Sequence, residues 1–162
     1  MTGSVRLYRR RSVQIATAAA FALAALCFVL PFLRATEEVT VSATGIQLMS
    51  GKPDHSGSLV HGSYAGEVDT VVRRAKGPAW VAFVVAIVGA LLALFPGARW
   101  QWASLAVAGF LVLSLGALWQ ATSLQFVPAD RRYGFWLAVA LALSALGLTA
   151  VRLRSYYGQW RA

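Results

Sequence analysis

The chain has 162 residues, 58% of them apolar and 13% charged, with a mean hydropathy of +0.61. That composition excludes a disordered chain, and it leaves more apolar surface than the interior of a soluble domain of this size can hold. The formal charge of +9 would suit a nucleic-acid binder, but most of the 13 Arg and 2 Lys flank apolar runs, so a lipid bilayer is the expected partner and nucleic acid is not.

A basic segment, Arg6 and Arg9-Arg10-Arg11, precedes the first apolar run, Val13–Leu33. Its start resembles a secretory signal. However, 21 residues exceed the usual apolar core of about 7–15, and Leu33-Arg34-Ala35 lacks a small-x-small cleavage pattern. Leu26 also occupies the place where a lipoprotein signal before Cys27 needs a small residue. The run is therefore expected to remain as a membrane helix, with Pro31 near its end. Cys27 is the single cysteine, so no intrachain disulfide forms.

Residues 35–77 form the longest segment between apolar runs. Glu38-Val39-Thr40-Val41-Ser42 alternates as a half-buried strand does, Thr44-Gly45 marks a turn, and Ile46-Gln47-Leu48 alternates again before Ser50-Gly51. This pattern predicts a hairpin near residues 38–50. Lys52–Ser58 is turn-rich, and Glu67–Val72 is expected to return to the bilayer as a third strand. An isolated hairpin is marginal in water, so it must lean on a third strand, helix ends or a partner. Val39, Val41, Gly45, Ile46, Leu48 and Gly51 are accordingly the loop residues expected to dock a partner.

Chemistry-bearing residues are sparse in this segment. His55 and His61 accompany Asp54, Glu67 and Asp69, but without recognised metal-ligand spacing, and no serine stands in a nucleophile-elbow context. No catalytic residue, metal or cofactor is expected. Arg73-Arg74-Ala75-Lys76 reads first as local balance for Glu67 and Asp69, and second as a site for an anionic headgroup or an acidic partner.

Three further runs follow: Ala79–Phe95, Trp102–Trp119 and Phe135–Val151, of 17, 18 and 17 residues. None of the four contains Asp, Glu, Lys, Arg or His. At about 1.5 Å per residue they reach roughly 25–32 Å, matching a hydrocarbon core of about 30 Å. The expected fold is an all-α membrane protein: one domain, a four-transmembrane-helix bundle with a small β-hairpin-containing outer loop. Their polar residues, Gln14, Thr17, Ser104, Ser114, Ser144 and Thr149, suit interhelical or backbone hydrogen bonds better than an ion path. Ala82, Ala86 and Gly89 place small residues at helix-packing spacing in the second run. Packing inside the bundle is their default role, and docking a partner subunit is the sharper one.

Orientation follows from flanking charge. The N-terminal segment, the turn at 96–101 and the C-terminal tail carry eight basic residues and no acid. The opposite side carries seven basic residues and all six acids. Four Arg against one flank the first helix, so the positive-inside rule predicts both termini in the cytoplasm. All six Trp fall at predicted span ends: Trp80, Trp119 and Trp136 outside, Trp100, Trp102 and Trp160 inside.

With Thr44-Gly45-Ile46-Gln47-Leu48-Met49-Ser50-Gly51 in the first outer loop and Pro78-Ala79-Trp80 leading into the second helix, the chain resembles a broad group of small bacterial four-helix membrane proteins. The resemblance implies the topology and no particular activity. The topology is also similar to that of claudin-type proteins, which carry a loop Trp and a cysteine pair that residues 35–77 lack. The expected function is a non-enzymatic accessory or structural subunit of the bacterial inner membrane, docking another membrane protein or a second copy. A small oligomeric channel or transporter is the alternative.

Overall fold

The computed structural model describes residues 2–36, 40–52, 54–55, 64–123 and 129–157. Four long helices dominate: α1 (Thr2–Leu26), α3 (Tyr64–Leu94), α4 (Ala98–Ala121) and α5 (Tyr133–Tyr157). Four spans are apolar and long enough to cross a bilayer: Arg11–Val29, which runs from α1 into the 3-10 turn after it, Thr70–Leu94, Arg99–Ala121 and Tyr133–Ser155. The chain is a multi-pass membrane protein. A short helix, α2 (Gly45–Ser50), and four strands, β1 (Pro31–Thr36), β2 (Thr40–Thr44), β3 (Asp54–His55) and β4 (Ala129–Arg131), form a cap over one end. The other end is called the terminal side here.

Around the bundle the order is α1, α3, α4, α5, with α1 packed on α3 and α5 and lying diagonally from α4. The interior is built from small residues. Ala24, Ala79, Ala82, Ala86, Ala93, Ala108, Ala138, Ala142 and Ala145 are buried, whereas Ile15, Leu26, Leu91, Phe110 and Leu113 are exposed. This distribution suits a bilayer, because lipid supplies no hydrophobic force between helices and association depends on close backbone approach. Gly89 of α3 is the tightest such point: a Cβ there would lie 2.5 Å from the Phe21 ring of α1.

The first membrane helix ends earlier than the apolar run does. Pro31 disfavours helical geometry at Leu30, and the chain leaves α1 through a 3-10 turn, Cys27–Val29, closed by Leu30 N–H donating to Cys27 O at 2.9 Å. Pro31–Leu33 continues as strand β1, with Phe32 and Leu33 buried.

The sheet is antiparallel in the order β3-β2-β1-β4. A hairpin is present, but its strands are β1 and β2, with Ala35 opposite Val41 and Thr36 opposite Thr40. Ile46-Gln47-Leu48 is helical rather than a second strand. Thr44 caps α2: its Oγ1 accepts from Gln47 N–H at 3.2 Å, and its own N–H donates to Gln47 Oε1 at 2.8 Å. That reciprocal pair satisfies two backbone donors at once and overrides a three-residue alternation.

Glu67–Val72 is likewise not a strand but part of α3, which begins well before the expected start at Ala79. Val71, Val72, Ala75, Ala79, Ala82 and Ala86 are all buried, a spacing of three and four that marks one helical face. α3 continues past Pro78, which removes one backbone donor. Gly77 before it has no Cβ to clash with the proline ring, and the carbonyl left unpaired belongs to exposed Arg74.

Candidate functional site

The cap is a small element held at many points. α2 ends on Gly51 in the left-handed region (φ 73°), whose N–H donates to Gln47 O at 3.0 Å. Leu48 and Met49 are buried, and the Met49 carbonyl accepts from Trp80 Nε1 of α3 at 3.1 Å. Gly45 lies against the 3-10 turn so closely that a Cβ would stand 2.8 Å from Phe28 Cα. On the opposite flank of the same segment, a Cβ on Gly134 of α5 would meet Pro31 O at 2.6 Å. The stretch Phe28–Pro31, where helix becomes strand, is thus clasped between two glycines.

A chain of aromatic rings runs beneath the cap. Trp80 meets Phe83 (6.4 Å between centroids), Phe83 meets Phe28 (5.6 Å), Phe28 meets Phe32 (4.9 Å) and Phe32 meets Phe135 (5.9 Å). Phe135 then contacts Trp119 (5.7 Å) and Trp136 (5.8 Å), most pairs being edge-on or tilted as ring quadrupoles prefer. The row ties α3, the 3-10 turn after α1, β1, α5 and α4 together at one level.

At its end sits Arg131, with its guanidinium carbon 3.4 Å from the centroid of the Trp119 ring. Nη2 donates to Ser123 Oγ at 3.0 Å and to Trp119 O at 3.3 Å, whereas Nε is buried without a hydrogen-bond partner among the described residues. Burial lowers the Arg131 pKa from its ordinary value, yet a guanidinium stays charged at neutral pH.

The terminal side has its own polar contacts. Gln14 Nε2 of α1 donates to Leu94 O at 2.5 Å, and Arg152 Nη1 of α5 donates to Ala93 O at 3.2 Å. Two neighbouring helices thereby satisfy the last carbonyls of α3, and the Arg152 cation sits at the negative end of its dipole. Thr17 and Thr149 are buried and donate to their own helices, at Val13 O (2.8 Å) and Ala145 O (2.6 Å). Ser104 Oγ and Gln101 Oε1 are buried on α4 without hydrogen-bond partners among the described residues.

The residues expected to dock a partner fare differently. Ala82, Ala86 and Gly89 are inside the bundle, so their small side chains serve the protein's own packing and are not presented to a partner. Gly45 and Leu48 are buried within the cap, on the inner side of α2. Gly51 is half-buried, Val41 stands in β2 opposite Ala35 and His55, and Val39 lies outside the described residues. Ile46 alone of the set is known to be presented, at 48% exposure. Asp54 and His55 form β3, and His61 lies outside the described residues. Among the described residues no three His, Cys, Asp or Glu come together as a metal site. Trp80, Trp100, Trp102, Trp119 and Trp136 are exposed, and Trp160 lies outside the described residues.

Sequence reasoning did not find the Arg131–Trp119 pair, because twelve residues and a change of element separate them. Comparison with protein-family models, with curated proteins and with solved structures gave no match to this chain.

Proposed function

We propose that this is a non-enzymatic subunit of the bacterial inner membrane, both termini cytoplasmic, that presents its cap to another membrane protein or to a second copy. It fits the broad group of small bacterial four-helix proteins named above. The supporting observation is the exposed Ile46 on a helix fixed from four sides: the Thr44–Gln47 capping box, the Gly45–Phe28 contact, Gly51 and the Trp80 bond to Met49. A surface held that firmly loses little conformational freedom when bound. Small helical faces inside the bundle no longer contribute to this reading, which rests on the cap.

Orientation is tested by fusion. A phosphatase active only outside the cytoplasm is expected to work when joined after Lys52 and to be silent after Trp160; the reverse pattern overturns the assignment. Docking is tested at Ile46, whose substitution leaves the interior untouched. After extraction in a mild detergent, the wild type should migrate with a stoichiometric partner or as an oligomer, and Ile46→Asp should weaken that association about tenfold or more. Retention of the complex by Ile46→Asp counts against the cap as the docking surface. The channel reading draws on the unpaired Gln101 Oε1 and Ser104 Oγ inside the bundle, and ion flux through the pure protein in proteoliposomes would favour it.

A further inference from the structure

On the cap side, an open groove of about 260 Å³ lies between α4 and α5, lined entirely by apolar and aromatic residues, Val112, Gly116 and Trp119 on one wall and Trp136, Val139 and Leu143 on the other. From Val112 to Trp119 it extends about 10 Å along the helix, roughly a third of a hydrocarbon core of about 30 Å. Its length therefore fits within one leaflet, and Trp119, Trp136 and Leu143 on its rim are exposed. Its cap-side end is walled by Trp119, the ring on which the Arg131 guanidinium lies.

The cation at this end is not neutralised by its neighbours in sequence. Asp130 precedes Arg131 on β4, but strand alternation puts it on the opposite sheet face, where its register partner is Arg34. Among the described residues, the partners of the Arg131 Nη2 are a carbonyl and a hydroxyl, both uncharged, and its buried Nε–H has no acceptor. A fixed guanidinium whose described partners are all uncharged, at the mouth of an apolar groove in a bilayer, is complementary to an acyl chain joined to an anionic phosphate.

We propose that the α4–α5 groove is a binding site for an anionic phospholipid of the cap-side leaflet, with one acyl chain between Val112 and Trp136 and the phosphodiester against Arg131. Anionic and zwitterionic phospholipids both present a phosphodiester to Arg131, but a zwitterionic choline headgroup brings a quaternary ammonium of its own beside the guanidinium. Like-charge repulsion gives the site its preference for a net anionic headgroup, and the groove gives it its depth. Gly116 leaves room for the chain, since a Cβ built there meets nothing within 4 Å.

The test is native mass spectrometry of the purified full chain with phosphatidylglycerol, with phosphatidylcholine of the same chains, and with glycerol phosphate. The wild type should hold phosphatidylglycerol about tenfold more tightly than phosphatidylcholine, and glycerol phosphate should not be retained. Arg131→Gln should abolish that preference while weak retention of both lipids persists, and Arg131→Lys, which keeps the charge without the planar fork, should retain part of it. Gly116→Leu should fill the groove and lower retention of both lipids without lowering the unfolding temperature. Equal retention of the two lipids by the wild type, an unchanged preference in a folded Arg131→Gln, or full retention by Gly116→Leu would each overturn the proposal. Retention of glycerol phosphate equal to that of the lipid would reduce the site to an anion contact and overturn it too.

Discussion

Gly45→Ala and Gly134→Ala are each expected to destabilise the protein by about 1–3 kcal/mol, seen as a fall of several degrees in thermal unfolding in micelles. Alanine is otherwise the better helix former by about 1 kcal/mol, so composition alone points the other way. The sign is set by what the new methyl meets. At Gly45 it meets the Cα of Phe28, and at Gly134 the carbonyl oxygen of Pro31; both are backbone, which cannot rotate aside. Gly109→Ala and Gly147→Ala supply the contrast. A Cβ at either meets nothing within 4 Å, so these changes should be neutral or stabilising by up to about 1 kcal/mol. Equal stability of all four variants would mean that the helix-to-strand segment is not held as described.

The second large effect is expected at the α1–α3 seam. Phe21 is fully buried with its ring over Gly89, so Phe21→Ala leaves a void, and Gly89→Leu drives a side chain into the space the ring already occupies. Each should cost on the order of 2 kcal/mol, mostly from packing, because transfer between bundle interior and lipid contributes little. The two changes touch the same volume and should not add. The double variant is expected to be more stable than the sum of the single losses by about 1 kcal/mol or more, read from unfolding of all four proteins in a cycle. Strict additivity would separate the ring from the glycine.

The spans were legible because uncharged runs of 17 to 21 residues have one physical solution, and the exposed Trp at their ends agree with it. Boundaries were less so. Pro31–Leu33 has the composition of the apolar run before it, and only the proline marks where helix yields to strand. In the cap, β2 was visible in its alternation, but two readings competed for the next residues. Ile46-Gln47-Leu48 alternates, whereas Thr44 and Gln47 stand three apart as a capping box requires, and the hydrogen bonds decided for the helix. Val71 and Val72 favour strands by type, yet their spacing to Ala75 and Ala79 is helical. β4 is three residues paired to a strand almost a hundred residues earlier, and nothing local announces it. Of the candidate docking residues, Ala82, Ala86 and Gly89 were identifiable as a packing face, but spacing does not say which helix it meets.

The closing contacts at both ends of the molecule come from the same stretch of chain. β4 completes the sheet beside β1, and α5 brings Gly134 to the clasp and Arg152 to the last carbonyls of α3. During synthesis, then, the first three membrane helices enter the bilayer before either end is finished. The nascent bundle stays an open arc with one sheet edge bare and α3 incompletely capped until the fourth helix arrives. A ribosome stalled before Ala129 would leave a product distinguishable by these unfinished surfaces, which a membrane protease or chaperone can read without regard to the protein's mature role.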